Sequence, residues 1–260
     1  MPVLFVSHGA PTLPIEPGET GAAWRKLGEH LPKPSAILVL SAHWDTSVPT
    51  VSRAIRPETI HDFYGFPEEL YKLQYPAPGA PELAQTTVLA LRQAGIAVRT
   101  DDTRGLDHGA WVPLSLMYPH ADVPVTQLSL QADKDPAWHI ALGRALRPLR
   151  EQGVLIVGSG SITHNLRAIF KHPQGAPAPD WVKEFIDWIA QQIEAGDMEA
   201  LGAYRTLAPH ASLNHPTDEH LLPLFVALGA ANNIGKALRL NHVMTYGFLA
   251  MDAWLFDASK

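Results

Sequence analysis

The chain is 260 residues long, carries a formal net charge of −6 with histidine neutral, and has no cysteine but 13 histidines. Its length suits one domain spanning residues 1–260, and the acidic balance, with no dense Lys/Arg cluster, argues against nucleic acid as a partner. Without cysteine there are no disulfides and no thiolate metal sites; without a basic leader or a bilayer-length apolar run, the expectation is a cytoplasmic protein with no membrane partner.

Residues 2–6 are apolar and run into Ser7-His8-Gly9-Ala10-Pro11, where glycine and proline stop a strand. Residues 21–31, with Trp24, Leu27 and Leu31 at helical spacing, predict a helix. Residues 36–40 form a continuous apolar run, the pattern of a strand covered on both faces, and end in Ser41-Ala42-His43-Trp44. Each strand of this βαβ-like unit delivers a histidine to the carboxyl end, where open α/β sheets bind ligands.

Residues 44–78 make a long stretch rich in proline and aromatic rings around His61-Asp62-Phe63-Tyr64-Gly65-Phe66-Pro67. Such a loop either walls a flat ligand or is pinned to the body by its own rings, and the pattern leaves both open. Residues 81–94 predict a helix, 96–98 a brief strand, and 104–113 a glycine-flanked turn carrying His108. A strand over 123–130 and a helix over 138–149 follow.

Residues 153–157 repeat the earlier device: an apolar strand, a small-residue turn at Gly158-Ser159-Gly160, then His164. This is no dinucleotide fingerprint, because Thr163 stands where the third glycine belongs, and the P-loop lysine is missing. Residues 180–195 place Trp181, Phe185, Ile189 and Ile193 on one stripe, a scaffold helix. Thr217 or Asp218 is expected to cap an apolar helix running to Gly229, with His220 in its first turn and His215 just before it. Residues 243–256 predict a strand, or strand plus turn, closing the sheet. The expected architecture is α/β: a single domain with a central, mostly parallel or mixed sheet and helices on both faces.

One crevice can gather His8, His43, His164 and His220, with no cysteine to compete, and imidazole suits Fe(II) or Zn(II). There is no Gly-x-Ser-x-Gly elbow and no His-Glu-x-x-His pair. The residues alone therefore point to a histidine-rich metalloenzyme and leave a structural role open for any one ring.

A run of further motifs narrows this. The segments 2–9, 40–44, 61–67, 107–114, 158–166 and 215–220, taken together and in order, resemble the class III extradiol ring-cleaving dioxygenases, in the DOPA 4,5-dioxygenase-like branch. The resemblance implies opening of a catechol by O₂ with a non-haem Fe(II). It implies His8, His43 and His220 as metal ligands, His164 as the acid/base group, and His108 and His215 as substrate-binding groups, with hydrogen-bonded support of the metal ligands as their alternative. The wider class has glutamate where this branch has His220. An all-imidazole set also suits Zn(II), so recovered protein can carry zinc, which cannot pass electrons to O₂. Two rival readings are a zinc hydrolase on the same imidazoles and a non-catalytic metal-binding relative. A homo-oligomer is compatible with the sequence.

Overall fold

The apolar runs that end in histidines become the middle of a six-stranded sheet. The structure is a computed structural model that describes residues 1–171 and 177–258. In chain order the main elements are β1 (Val3–Ser7), α1 (Gly18–His30), β2 (Ala36–Ser41), β3 (Thr50–Ser52), α2 (Pro81–Gln93), β4 (Arg99–Asp101), α3 (His108–Met117), β5 (Val125–Gln127), α4 (Pro136–Leu146) and β6 (Val154–Gly160). They continue with α5 (Asp180–Ala195), the short α6 (Met198–Gly202), α7 (Tyr204–Leu207) and α8 (Ala211–Asn214), then α9 (Leu222–Ala230), β7 (Leu238–Asn241), the hairpin β8 (Met244–Thr245) and β9 (Leu249–Ala250), and β10 (Ala253–Phe256).

The sheet order is β5-β2-β6-β1-β10-β7, with β5, β2, β6 and β1 parallel and β10 antiparallel to both neighbours. Every residue of β1, β2 and β6 is buried, which is why these strands read as unbroken apolar runs. The first two strands are not neighbours, because β6 lies between them. Register then does the positioning: Ser7 pairs with Gly160 and Ser41 with Ser159, so the three strands end level and the residues after them emerge at one edge.

Alternation along β6 separates the two faces. A Cβ on Gly158 or Gly160 would meet the carbonyl oxygens of Pro223 (2.3 Å) and His220 (2.1 Å), whereas Ser159 donates from its hydroxyl to the Gly109 carbonyl of α3 on the opposite face. Gly158-Ser159-Gly160 is therefore strand, and its glycines serve close packing against α9 and the turn before it.

Several local expectations shift. Residues 104–113 hold the start of α3 in place of a turn: Asp107 caps the helix by accepting from the Ala110 N–H (3.2 Å), and His108 is its first residue. The brief strand lies at Arg99–Asp101 and not at 96–98. Helix α9 begins at Leu222, so His220 sits in the turn just before it. The C-terminal strand β10 is an inner strand, and β7, polar in pattern and unforeseen, takes the edge.

The Gly160 packing has a measurable consequence. Gly160→Ala pushes a methyl group into the His220 carbonyl, and we expect it to lower the unfolding free energy by about 1–3 kcal/mol in chemical denaturation. Gly202→Ala, where nothing lies within 4 Å of the added carbon, is expected to leave stability unharmed.

Candidate metal centre and active site

His8 follows β1, and the chain swings away behind it through Gly9, whose φ of +73° is a conformation other residues rarely adopt. His43 follows β2, His108 opens α3, and His220 closes the turn against the end of β6, where its carbonyl accepts from Ser161 N–H (2.7 Å). The rings come together: centroids of His8 and His43 are 4.8 Å apart, those of His43 and His108 4.0 Å, and those of His43 and His220 4.9 Å. His164, after β6, lies flat on His220 with centroids 3.3 Å apart and planes 9° from parallel.

Hydrogen bonds outside the cluster set the tautomers. Because the Ser159 hydroxyl donates to the Gly109 carbonyl, it accepts from His8 Nδ1–H (3.1 Å). His108 Nδ1–H donates to Asp62 Oδ2 (2.9 Å), the same oxygen lies 3.6 Å from His43 Nδ1, and His220 Nδ1–H donates to Glu219 Oε1 (3.1 Å). His8, His108 and His220 are thereby left with lone pairs on Nε2, and the Asp62 charge near His43 Nδ1 favours the same tautomer there.

His8 Nε2 and His43 Nε2 face each other at 3.1 Å. Two lone pairs at that separation repel unless a proton or cation lies between them. Two nitrogens about 2.1 Å from one metal ion sit roughly 3.0–3.4 Å apart, so the spacing fits a shared ion. His8, His43 and His108 form a group whose ligand atoms lie within 4.8 Å of one another and which could hold a metal. His220 falls in a neighbouring group with His164 and Glu219, and its Nε2 is buried with no hydrogen-bond partner among the described residues.

Behind His43 lies a second carboxylate. Asp107 is fully buried; it accepts from the Ser41 hydroxyl (2.6 Å), Arg104 (2.9 Å) and Gln127 (2.9 Å), and Ser41 in turn accepts the His43 backbone N–H (3.2 Å). The aromatic loop is pinned to the body. Trp111 Nε1–H donates to the Ile60 carbonyl (3.0 Å), and Phe63 packs its ring against those of Tyr71 and His108. Tyr64 alone of this segment's rings stands out, 90% exposed.

His215 is placed apart from these rings. It is fully buried, donates Nε2–H to the Ile162 carbonyl (2.7 Å), and packs against Phe185 and Tyr204. In this geometry it braces the turn that leads to His164, whose own N–H bonds the Asn214 carbonyl (2.9 Å).

Residues 2–255 match the family described as the catalytic LigB subunit of aromatic ring-opening dioxygenase. The chain belongs to this family. It is 43% identical to a 4,5-DOPA dioxygenase extradiol of Beta vulgaris, over 98% of this chain and 96% of that protein. It is also 43% identical to a protein of the same name from Escherichia coli, over 88% and 85%. An uncharacterized protein of Escherichia coli K12, solved by crystallography, superposes with a TM-score of 0.83 at 37% identity, covering 98% of this chain and 99% of that one. Among the described residues no helix is long and apolar enough to cross a membrane.

The dioxygenase's oxygen acceptors, Ser159, Asp62, Asp107 and Glu219, carry no roles in the sequence reading; the one local signal is an acid beside a histidine, in His61-Asp62 and Glu219-His220. Burial favours the neutral form of His8, His43, His164 and His220. It holds His43 down to about 4, helped by His108 and opposed by Asp107 and Asp62, and His164 down to about 4, opposed by Glu219. His8 and His220 are also held well below the ordinary histidine value, by burial first and then by neighbouring imidazoles.

Neutral rings in the folded chain have an acid cost. Between the ordinary value of 6.5 and about 4 the unfolded chain holds protons that folded His43 and His164 refuse, so stability rises with pH across that window and is lost as pH falls through it. The metal-free dioxygenase is thus expected to show a falling melting temperature from about pH 6.5 to 4, on the order of 1 kcal/mol per pH unit for each such ring. His164→Asn should flatten the slope.

Proposed function

We propose that the enzyme cleaves a catechol of the DOPA type beside its hydroxyls with O₂, giving a ring-opened semialdehyde, and that it uses Fe(II) held by His8, His43 and His220. The observation that carries this reading is the opposed pair of Nε2 atoms at 3.1 Å, with the buried, unpartnered Nε2 of His220 on a ring beside both. The family match and the names of the relatives support the chemistry. Bound Fe(II) supplies the electronic link between a catecholate and O₂, which a closed-shell Zn(II) in the same imidazoles lacks.

The chain's own groups then have distinct tasks. His164 is neutral at pH 7, only partly covered, and stacked on His220, so its ring is placed to take a proton from a catechol hydroxyl and return it as the ring opens. His108 has its Nδ1–H engaged by Asp62, so its Nε2 is an acceptor for a substrate hydroxyl. His215 is assigned support of the His164 turn in preference to substrate contact, since the ring is fully buried. The enzyme is read as cytoplasmic, with a small-molecule substrate.

Protein loaded anaerobically with Fe(II) and given DOPA and O₂ is expected to form a visible chromophore with matching oxygen uptake, and to hydrolyse no esters in its zinc form. Silence across DOPA, caffeate and protocatechuate, with ester hydrolysis by the zinc form, would reverse the assignment. His8→Ala, His43→Ala and His220→Ala should each lose bound metal. His164→Ala should keep it while turnover falls by roughly two to four powers of ten. Metal loss in His108→Ala with retention in His220→Ala would move the third ligand to His108.

A further inference from the structure

Among the carboxylates around the cluster, Asp62 is engaged in a way the others are not. Asp107 shares its charge with Arg104 at 2.9 Å, and Glu219 serves one ring, His220, together with the Thr217 hydroxyl (3.0 Å). Asp62 is paired, among the described residues, with His43 and His108 and with no lysine or arginine. Its Oδ1 accepts the backbone N–H of His108 at the start of α3 (2.9 Å), and its Oδ2 accepts His108 Nδ1–H (2.9 Å) while lying 3.6 Å from His43 Nδ1. The segment that carries it is fixed on both sides, by Trp111 to the Ile60 carbonyl before it and by Phe63 packed on His108 after it. The carboxylate therefore cannot drift without moving α3.

We propose that Asp62 is the positioning carboxylate of the metal centre: a single anion that orients His43 and His108 together, with Nε2 inward, and supplies from outside the negative charge that an all-imidazole ligand set lacks. Three neutral imidazoles leave a bound divalent cation with its full charge. A carboxylate on the far side of a ligand imidazole makes that ring more basic and offsets part of the charge without occupying a coordination position. Through His43 it acts on the metal; through His108 it acts on the group facing substrate. At 3.6 Å the contact with His43 is chiefly electrostatic, too long for a good hydrogen bond, so the charge of Asp62 matters more there than its shape. Both carboxylate oxygens accept N–H groups of His108, an arrangement that favours the ionised form.

The inference rests on the proposed metal reading, and its test needs no substrate. Co(II) is titrated into metal-free native, Asp62→Asn and Asp62→Glu protein, followed by visible absorption and by competition with a chelator, and each metal-free variant is also unfolded thermally. Asn keeps an oxygen for the His108 N–H and removes the charge; Glu keeps the charge on a longer arm. The expected result is a roughly 10–100-fold weaker Co(II) affinity in Asp62→Asn, a shifted Co(II) spectrum, a melting temperature near native in the metal-free state, and partial recovery in Asp62→Glu. Equal affinity and spectrum in Asp62→Asn and native protein would overturn the proposal. So would an affinity loss matched by a loss of metal-free stability and no better in Asp62→Glu, since that pattern belongs to a purely structural residue. Failure of the native protein itself to bind Co(II) would overturn the metal reading first, which keeps the two failures apart.

Discussion

The site is organised by one awkward contact: two imidazole nitrogens, His8 Nε2 and His43 Nε2, held 3.1 Å apart, where two lone pairs repel unless a proton or a cation lies between them. Neither ring can turn to relieve it cheaply. His8 is tied through Nδ1 to Ser159, and the His43 backbone is tied to Ser41, which is itself bonded to the buried Asp107. The sheet fixes the rest, because Ser7, Ser41 and the end of β6 are in register and the histidines leave it at one level. Such an arrangement is unfavourable when empty and favourable around a cation, and much of the surrounding fold can be understood as holding it in place.

The outer hydrogen bonds explain how four imidazoles coexist in so small a volume. Each of His8, His43, His108 and His220 turns Nδ1 outward toward an oxygen, from Ser159, Asp62 or Glu219. Burial keeps His8, His43 and His220 uncharged, so the cluster does not repel itself at neutral pH. The anionic charge sits one layer out, on Asp62, Glu219 and Asp107.

The strands and their histidines were legible because burial on both faces writes itself as an unbroken apolar run, as in Ala36–Ser41 and Val154–Gly160. The long helix α5 was legible to the residue because one of its faces is wet. Helix α3 was not. Buried nearly all round, with Gly109 and Pro113 inside it, it has no period to detect and looks like a turn. The edge strand β7, Leu-Arg-Leu-Asn, is too short and polar to stand out. At the site, the clustered histidines are carried by motifs, while their hydrogen-bond acceptors are not. Asp62 meets His108 across 46 residues of chain, and only the packing of the aromatic loop on α3 brings them together. His215 also lies in a motif, and its buried ring donates Nε2–H to the Ile162 carbonyl.

Anomalous diffraction from crystals of the metal-loaded protein tests whether this register gathers the imidazoles around one ion through Nε2. A single ion is expected about 2.1 Å from Nε2 of His8, His43 and His220, with Asp62 still bonded to His108 Nδ1. An ion bound elsewhere, or one ligated through Nδ1 with the outer oxygens released, would contradict it.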